Sequence, residues 1–138
     1  MGIAMGRMTM GTIMMTKVKA GLVLLTLLLF LREASAFETQ ASYYTYSSCI
    51  REGTSGIMAN GKVLDDEALT CASWDYRFGT RLRITNKLNG RSVVCVVTDR
   101  GPAKRLYKRG RKIDVSLKAA QALKMVESGI VAVVVKVI

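Results

Sequence analysis

Residues Ser92 to Pro102 read SVVCVVTDRGP, and the fold turns on how this stretch is interpreted. Val93, Val94, Val96 and Val97 flank Cys95 with β-branched side chains on both faces, so the run has almost no polar side. Such a strand belongs in the middle of a sheet or barrel, covered on both faces. Asp99-Arg-Gly-Pro102 then forces a turn. Upstream, Thr80 to Thr85 (TRLRIT) alternates polar with apolar, and Asn86 to Arg91 carries Asn89-Gly90, a turn signal that joins the two runs as a hairpin. Ala41 to Tyr46 (ASYYTY) is a further strand, with Tyr44 and Tyr46 expected on one face and Tyr43 on the other. Downstream of a basic loop, Ile113-Asp-Val115 is a short apolar piece. Ser116 is placed to cap a helix from Leu117 to Glu127, in which Ala119, Ala122, Leu123 and Val126 share one face. Ser128-Gly129 ends that helix, and Ile130 to Ile138 (IVAVVVKVI) is a closing strand. A second short helix is expected near Asp65, with Asp66 and Glu67 in its first turn. The pattern is a small, mainly β barrel with crossover connections.

The chain has 138 residues, 22% charged and 50% hydrophobic, which suits one folded domain and excludes an intrinsically disordered chain. It contains no His, so every mechanism that needs an imidazole base, ligand or pH switch is excluded. Lys and Arg number 21 against 10 Asp and Glu, a formal charge of +11 that favours anionic partners. The positive mean hydropathy of +0.24 comes largely from the amino terminus. There, Ala20 to Leu31 (AGLVLLTLLLFL) follows Lys17 and Lys19 and precedes Ala34-Ser35-Ala36, the pattern of an export signal cleaved after Ala36. The run is shorter than the roughly 20 residues that span a bilayer, although an uncleaved anchor is the alternative. Met1 to Met14 fits an over-called start, with Met14 or Met15 the initiator. No Cys lies near the cleavage site, which argues against a lipoprotein. Residues 1 to 36 carry four basic side chains and one acidic, so the remainder keeps 17 basic and 9 acidic groups, or +8.

Export implies an oxidising compartment, where three Cys in a small domain point to one disulfide and one leftover thiol. Cys49 and Cys71 lie in polar, loop-like surroundings and are expected to pair, leaving Cys95 as a buried thiol in the apolar run. Without His, and with Cys spacings of 22 and 24 residues, no metal site is expected. No cofactor is expected either.

Read in order, Ala41-Ser-Tyr-Tyr, Met58-Ala-Asn-Gly61, Asp65, Ala68-Leu-Thr70, Phe78-Gly-Thr80, Thr85-Asn86, Asn89-Gly-Arg-Ser-Val-Val94, Asp99-Arg-Gly-Pro102 and Ile113-Asp-Val-Ser116 resemble the rare lipoprotein A family. The resemblance covers nearly all of the chain after the leader. It implies a six-stranded double-psi β-barrel with one or two short helices, related to expansins and barwin-like domains. It also implies a secreted, monomeric protein acting on peptidoglycan glycan strands as a lytic transglycosylase, with no nucleic-acid partner and no stable membrane insertion. In catalytic members the segment after Ala-Asn-Gly starts with Glu and a Thr-Ala-Ala-His piece follows. Here those positions hold Lys62 and Ser73.

Lytic transglycosylation needs an acid to protonate the glycosidic oxygen, after which the conjugate base takes a proton from the sugar's own 6-hydroxyl. One carboxyl can serve both steps. Asp99 and Asp65 are the candidate catalytic groups; the bland readings are a carboxylate satisfied by turn amides for Asp99 and a helix cap for Asp65. Tyr44, Lys62, Thr70, Trp74 and Arg100 are the candidate substrate contacts, since aromatic rings suit sugar faces and a cation can hold a substrate carboxylate. Core packing is the competing reading for each aromatic. Lys104 to Lys112 (KRLYKRGRK), six charges around Tyr107, is either a site for anionic polymers or a solvated loop. Two other functions stay open: an expansin-like module that binds or loosens polysaccharide without cutting it, and a cationic secreted effector.

Overall fold

The computed structural model describes residues 36–138; the expected export signal, apart from its last residue Ala36, lies outside these residues. Six strands close into a barrel in the order β1-β5-β2-β4-β3-β6. In chain order they are β1 (Ala36–Tyr44), β2 (Thr70–Ser73), β3 (Arg81–Asn86), β4 (Ser92–Asp99), β5 (Arg111–Ser116) and β6 (Ile130–Val137). Three short helices intervene: α1 (Tyr46–Arg51), α2 (Lys104–Lys108) and α3 (Leu117–Ala122). The β1–β5 and β2–β4 pairs are parallel and the other four antiparallel. Within the closed barrel β4 lies between β2 and β3, with its inner face buried and Val94 and Val96 on the outer face half-buried. Val93, Cys95 and Val97 point into the barrel with Leu82, Ile84, Ile113, Val115, Val133 and Val135, and all are buried. Burying each such aliphatic side chain stabilises the fold by about 1.5–3 kcal/mol.

The predicted hairpin forms. The Asn86 N–H donates to the Arg91 carbonyl (2.8 Å), and Gly90 takes the left-handed backbone the turn requires (φ 74°). Asn86 is itself buried, and its amide is satisfied on both sides by the Leu123 carbonyl and the Leu88 N–H.

Several expectations are corrected. Cys71 pairs with Cys95, not with Cys49, and the Cα atoms of the bridge are 5.8 Å apart. Both sulfurs lie inside the barrel, joining the adjacent strands β2 and β4, whereas Cys49 sits free on α1. Cys95 looked like a core thiol because its neighbours are apolar; its partner reaches the same core from a strand too short to stand out in the sequence. The first strand starts at Ala36 and stops at Tyr44, because Thr45 and Ser48 form a reciprocal capping box that starts α1 at Tyr46. Tyr44 and Tyr46 therefore do not share a strand face. No helix forms at Asp65: its carboxylate accepts from the Glu67 N–H (2.9 Å) in a turn. The predicted Leu117–Glu127 helix is capped by Ser116 as expected but ends at Ala122. Lys124 then adopts φ 49°, which turns Met125 into the core and leaves Val126 exposed. Finally, Lys104 to Lys112 is not an irregular loop, since it supplies α2 and the start of β5.

The bridge closes a segment with a separation of 24 residues between its cysteines, so removing it should cost about 3 kcal/mol. Denaturant unfolding of Cys71→Ala/Cys95→Ala should show that loss, while Cys49→Ala stays within about 0.5 kcal/mol of the parent. Under native, non-reducing conditions, alkylation followed by mass spectrometry should find label on Cys49 alone.

Candidate active site

Residues 45–69 leave the barrel between β1 and β2 and fold back over its outer wall. Asp66 anchors this excursion by accepting from the Tyr46 N–H (2.8 Å), and an isolated bridge between Ile57 and Val63 pinches its middle. The far end is tied to β4: the Asn60 N–H donates to the Thr98 carbonyl (3.2 Å), and the Ala59 N–H donates to Asp99 Oδ1 (2.8 Å). Between excursion and wall lies a cleft of about 310 Å³, lined among others by Tyr44, Cys49, Met58, Asp99, Arg100 and Asp114.

Register places the polar groups. Ser42 of β1 pairs with Asp114 of β5, Asp114 with Ala72 of β2, and Ala72 with Asp99 of β4, so the four residues form one row across four strands. Strands are about 4.8 Å apart, which sets the Cα atoms of the two aspartates roughly 10 Å from each other. A bulge makes this row possible. Cys71 pairs with Val97 but Ala72 pairs with Asp99, skipping Thr98. Simple alternation from the buried Val97 would aim Asp99 into the barrel; the extra residue turns it outward, beside Ala72. The small side chain of Ala72 leaves the space between the carboxyls open, and Gly101 approaches so closely that a Cβ there would lie 3.4 Å from the Ala72 methyl and 3.7 Å from Asp114 Oδ2.

Three donors converge on Asp99: the Ala59 and Arg100 N–H groups reach Oδ1 (both 2.8 Å), and Tyr44 Oη donates to Oδ2 (3.2 Å). Burial, followed by the charge of Asp99 and the hydrogen bond to it, raises the Tyr44 phenol far above its ordinary range and keeps it a donor. Asp114 accepts from Ser42 Oγ. Burial raises the Asp114 pKa, with smaller upward pushes from the charges of Glu52 and Asp99, against the opposing effects of Ser42 and Arg111. The cleft thus holds one carboxyl in a web of donors and another whose proton is favoured by its surroundings. Burial also raises the Cys49 thiol at the cleft wall.

The lytic transglycolase family matches residues 36–135. The chain belongs to that family. Among curated relatives, it is 46% identical over 80 residues to the probable endolytic peptidoglycan transglycosylase RlpA of Nostoc sp., covering 58% of this chain and 20% of that protein. The protein of the same name from Treponema pallidum is 40% identical over 93 residues, covering 67% of this chain and 26% of the relative. The chain therefore spans a fifth to about a quarter of the length of these relatives. In fold it resembles the Streptomyces papain inhibitor (TM-score 0.56, 21% identity, 76% of this chain and 96% of that one). The expansin of Clavibacter michiganensis is also similar (TM-score 0.52, 21% identity, 75% and 50%). The barrel is of the double-psi type, as the family resemblance implied.

Of the candidate residues, Asp99, Tyr44 and Arg100 meet in the cleft. Arg100 acts there as a strut: Nη1 donates to the carbonyls of Ser73 and Tyr76 (both 2.8 Å), and the guanidinium lies 4.0 Å over the Phe78 ring. Trp74 braces the turn behind the cleft, its Nε1 donating to the Pro102 carbonyl (2.7 Å) while the Lys104 ammonium covers its ring at 3.6 Å. Asp65, Lys62 and Thr70 do not line the cleft; the first two are exposed on the excursion, and the Thr70 hydroxyl is buried without a partner. Ser73, at the family's His position, is buried and accepts from the Asp75 N–H. Asp114 was missed as a site residue, although a lone carboxylate between Ile113 and Val115 in a strand was the signal for it.

The raised pKa of Asp114 has a sign that can be tested. The folded state holds this proton more tightly than the unfolded chain, so the stability it contributes is complete below the ordinary carboxylate range and is lost as pH rises through the raised value. Thermal melts from pH 4 to 9 should show wild type losing stability relative to Asp114→Asn as pH increases, the amide still accepting from Ser42.

Proposed function

We propose that this barrel acts on peptidoglycan glycan strands as a lytic transglycosylase outside the cytoplasm, with Asp114 as proton donor and Asp99 as its electrostatic partner. The observation that carries the proposal is the placement of both carboxyls on either side of Ala72 in one cleft, with burial favouring the protonated form of Asp114. The names of the relatives, peptidoglycan transglycosylases, support it. The leader pattern before Ala36 supports export, and no helix among the described residues is long and apolar enough to cross a membrane.

In the proposed reaction Asp114 gives its proton to the glycosidic oxygen as the bond from that oxygen to C1 breaks. Positive charge develops at C1 and is offset by Asp99, whose position is held by the Ala59 and Arg100 amides and by Tyr44. The 6-hydroxyl of the same sugar then adds to C1, and its proton returns to Asp114. The product is a 1,6-anhydro sugar, the acid is regenerated, and no water has been activated. This path explains how the chain dispenses with the acidic and imidazole groups replaced by Lys62 and Ser73. Those same replacements motivate the second reading, polysaccharide binding without cleavage.

Product analysis separates the two. Mass spectrometry of glycan strands incubated with the protein should find anhydro-terminated fragments, with turnover falling as pH rises past the raised pKa of Asp114. Asp99→Asn and Asp114→Asn should each reduce turnover by about a hundredfold or more while strands still co-sediment with the protein. Absence of anhydro products from both intact and peptide-stripped strands would leave binding alone.

A further inference from the structure

The second half of the fold carries a basic strip that the proposed chemistry does not use. α2 and its C-cap carry Lys104, Arg105, Lys108 and Arg109, and the start of β5 adds Lys112. Aromatic rings alternate with two of the ammonium groups. Lys104 Nζ lies 3.6 Å from the Trp74 ring and 6.0 Å from the Tyr107 ring, and Lys112 Nζ sits 3.8 Å from Tyr107. Tyr107 is in turn fixed by its hydroxyl, which donates to Asp75 Oδ1 (2.5 Å). These contacts position cations without neutralising them. Among the described residues the ion pairs are Lys87 with Glu38 and Lys118 with Glu67, so Lys104, Arg105, Lys108, Arg109 and Lys112 make no ion pair with a carboxylate.

The strip adjoins the cleft. Gly101, Pro102 and Ala103 line the cleft, Lys104 follows directly, and the bond from Trp74 to the Pro102 carbonyl fastens the two regions together. The cleft carries the carboxyls of Asp99 and Glu52, beside Asp114, whose protonated form burial favours, and Arg100, whose guanidinium is turned to the Ser73 and Tyr76 carbonyls. A polymer with a negatively charged backbone would be repelled by Asp99 and Glu52. A neutral backbone carrying negative groups at its side satisfies both regions, lying along the carboxyls while its substituents reach the cations.

We infer that the Lys104–Lys112 strip binds carboxylates pendant on a neutral glycan lying in the cleft, and so distinguishes muramyl-containing strands from uncharged polysaccharides. The inference rests on the peptidoglycan reading above and extends it. Two sources offer this chemistry: the lactyl carboxylate, free on peptide-stripped strands, and the carboxylates of stem peptides where these remain attached.

Three probes of equal backbone length test the inference: peptide-bearing strands, peptide-stripped strands, and chitin oligosaccharides, which lack the lactyl group and its charge. Affinities are measured with Asp114→Asn to prevent cleavage. At low salt, the carboxylate-bearing strands should bind about three- to tenfold more tightly than chitin oligosaccharides, and the difference should shrink as salt is raised. Lys104→Gln/Lys112→Gln should remove the preference, as should Arg105→Gln/Arg109→Gln, whose residues are exposed and make no aromatic contact. Neither change should alter chitin binding, which also reports an intact fold. A preference for stripped strands identifies the lactyl group, and one confined to peptide-bearing strands identifies the peptide. Equal binding of all three glycans, or a preference that survives both charge-removing variants, overturns the inference even if anhydro products are released. Salt-sensitive preference without product would instead uphold the strip and overturn the catalytic reading, and failure to bind any of the three would overturn both.

Discussion

Asp99 is held by groups from three separate parts of the chain: the Ala59 amide of the excursion, the Arg100 amide of the following turn, and the Tyr44 hydroxyl at the end of β1. A carboxylate has room for several donors, and here they are used to join the outer loop to the barrel wall. The cleft exists because this junction holds the excursion at a fixed distance from β4 and β5. The Asn60 N–H to Thr98 and the Met58 contact with the Thr98 hydroxyl reinforce it from the side. Met58-Ala-Asn-Gly61 therefore acts through its backbone: Ala59 supplies an N–H, and Gly61, at φ 88°, supplies the turn that presents it.

Once the wall is covered, the second carboxyl changes character. β5 alternates inward Ile113 and Val115 with outward Asp114, and an outward carboxylate on a bare barrel would be fully hydrated. The excursion removes that water, and the nearby charges of Glu52 and Asp99 add to the effect. Two aspartates of the same chemistry thereby meet different surroundings, one ringed by donors and the other buried. The barrel interior takes no part in this; it supplies rigidity through aliphatic packing and the Cys71–Cys95 bridge between the strands that carry Ala72 and Asp99.

Charge is divided in the same way over the surface. The carboxyls of Asp99, Glu52 and Asp114 meet at the cleft, and positive side chains lie along α2 and at Lys112 of β5. The turn at Gly101 to Ala103 connects the two regions, braced by Trp74 from behind and by the Arg100 strut from the side. Trp74 and Arg100, candidate substrate contacts in the sequence, also help hold this turn in place.

The sequence by itself determined the strands whose pattern is local: the Thr80–Thr98 hairpin with its Asn-Gly turn, the buried centre at β4, the Ser116 cap and the closing β6. It also determined the family, because motif order survives in the linear chain. It pointed through those motifs to Asp99 and Tyr44 as candidate site residues, and both line the cleft. What it could not determine was anything set by pairing between distant segments. Cys71 finds Cys95 only because β2 and β4 lie side by side, and local polarity pointed to Cys49 instead. Asp99 faces the cleft only because β4 bulges at Thr98, a single inserted residue that reverses the alternation read from the sequence. Asp114 becomes a candidate acid only when a separate loop covers it. Side-chain direction in a strand follows from local period, but burial and charge neighbours arise from contacts dozens of residues apart, and those the tertiary structure alone decided.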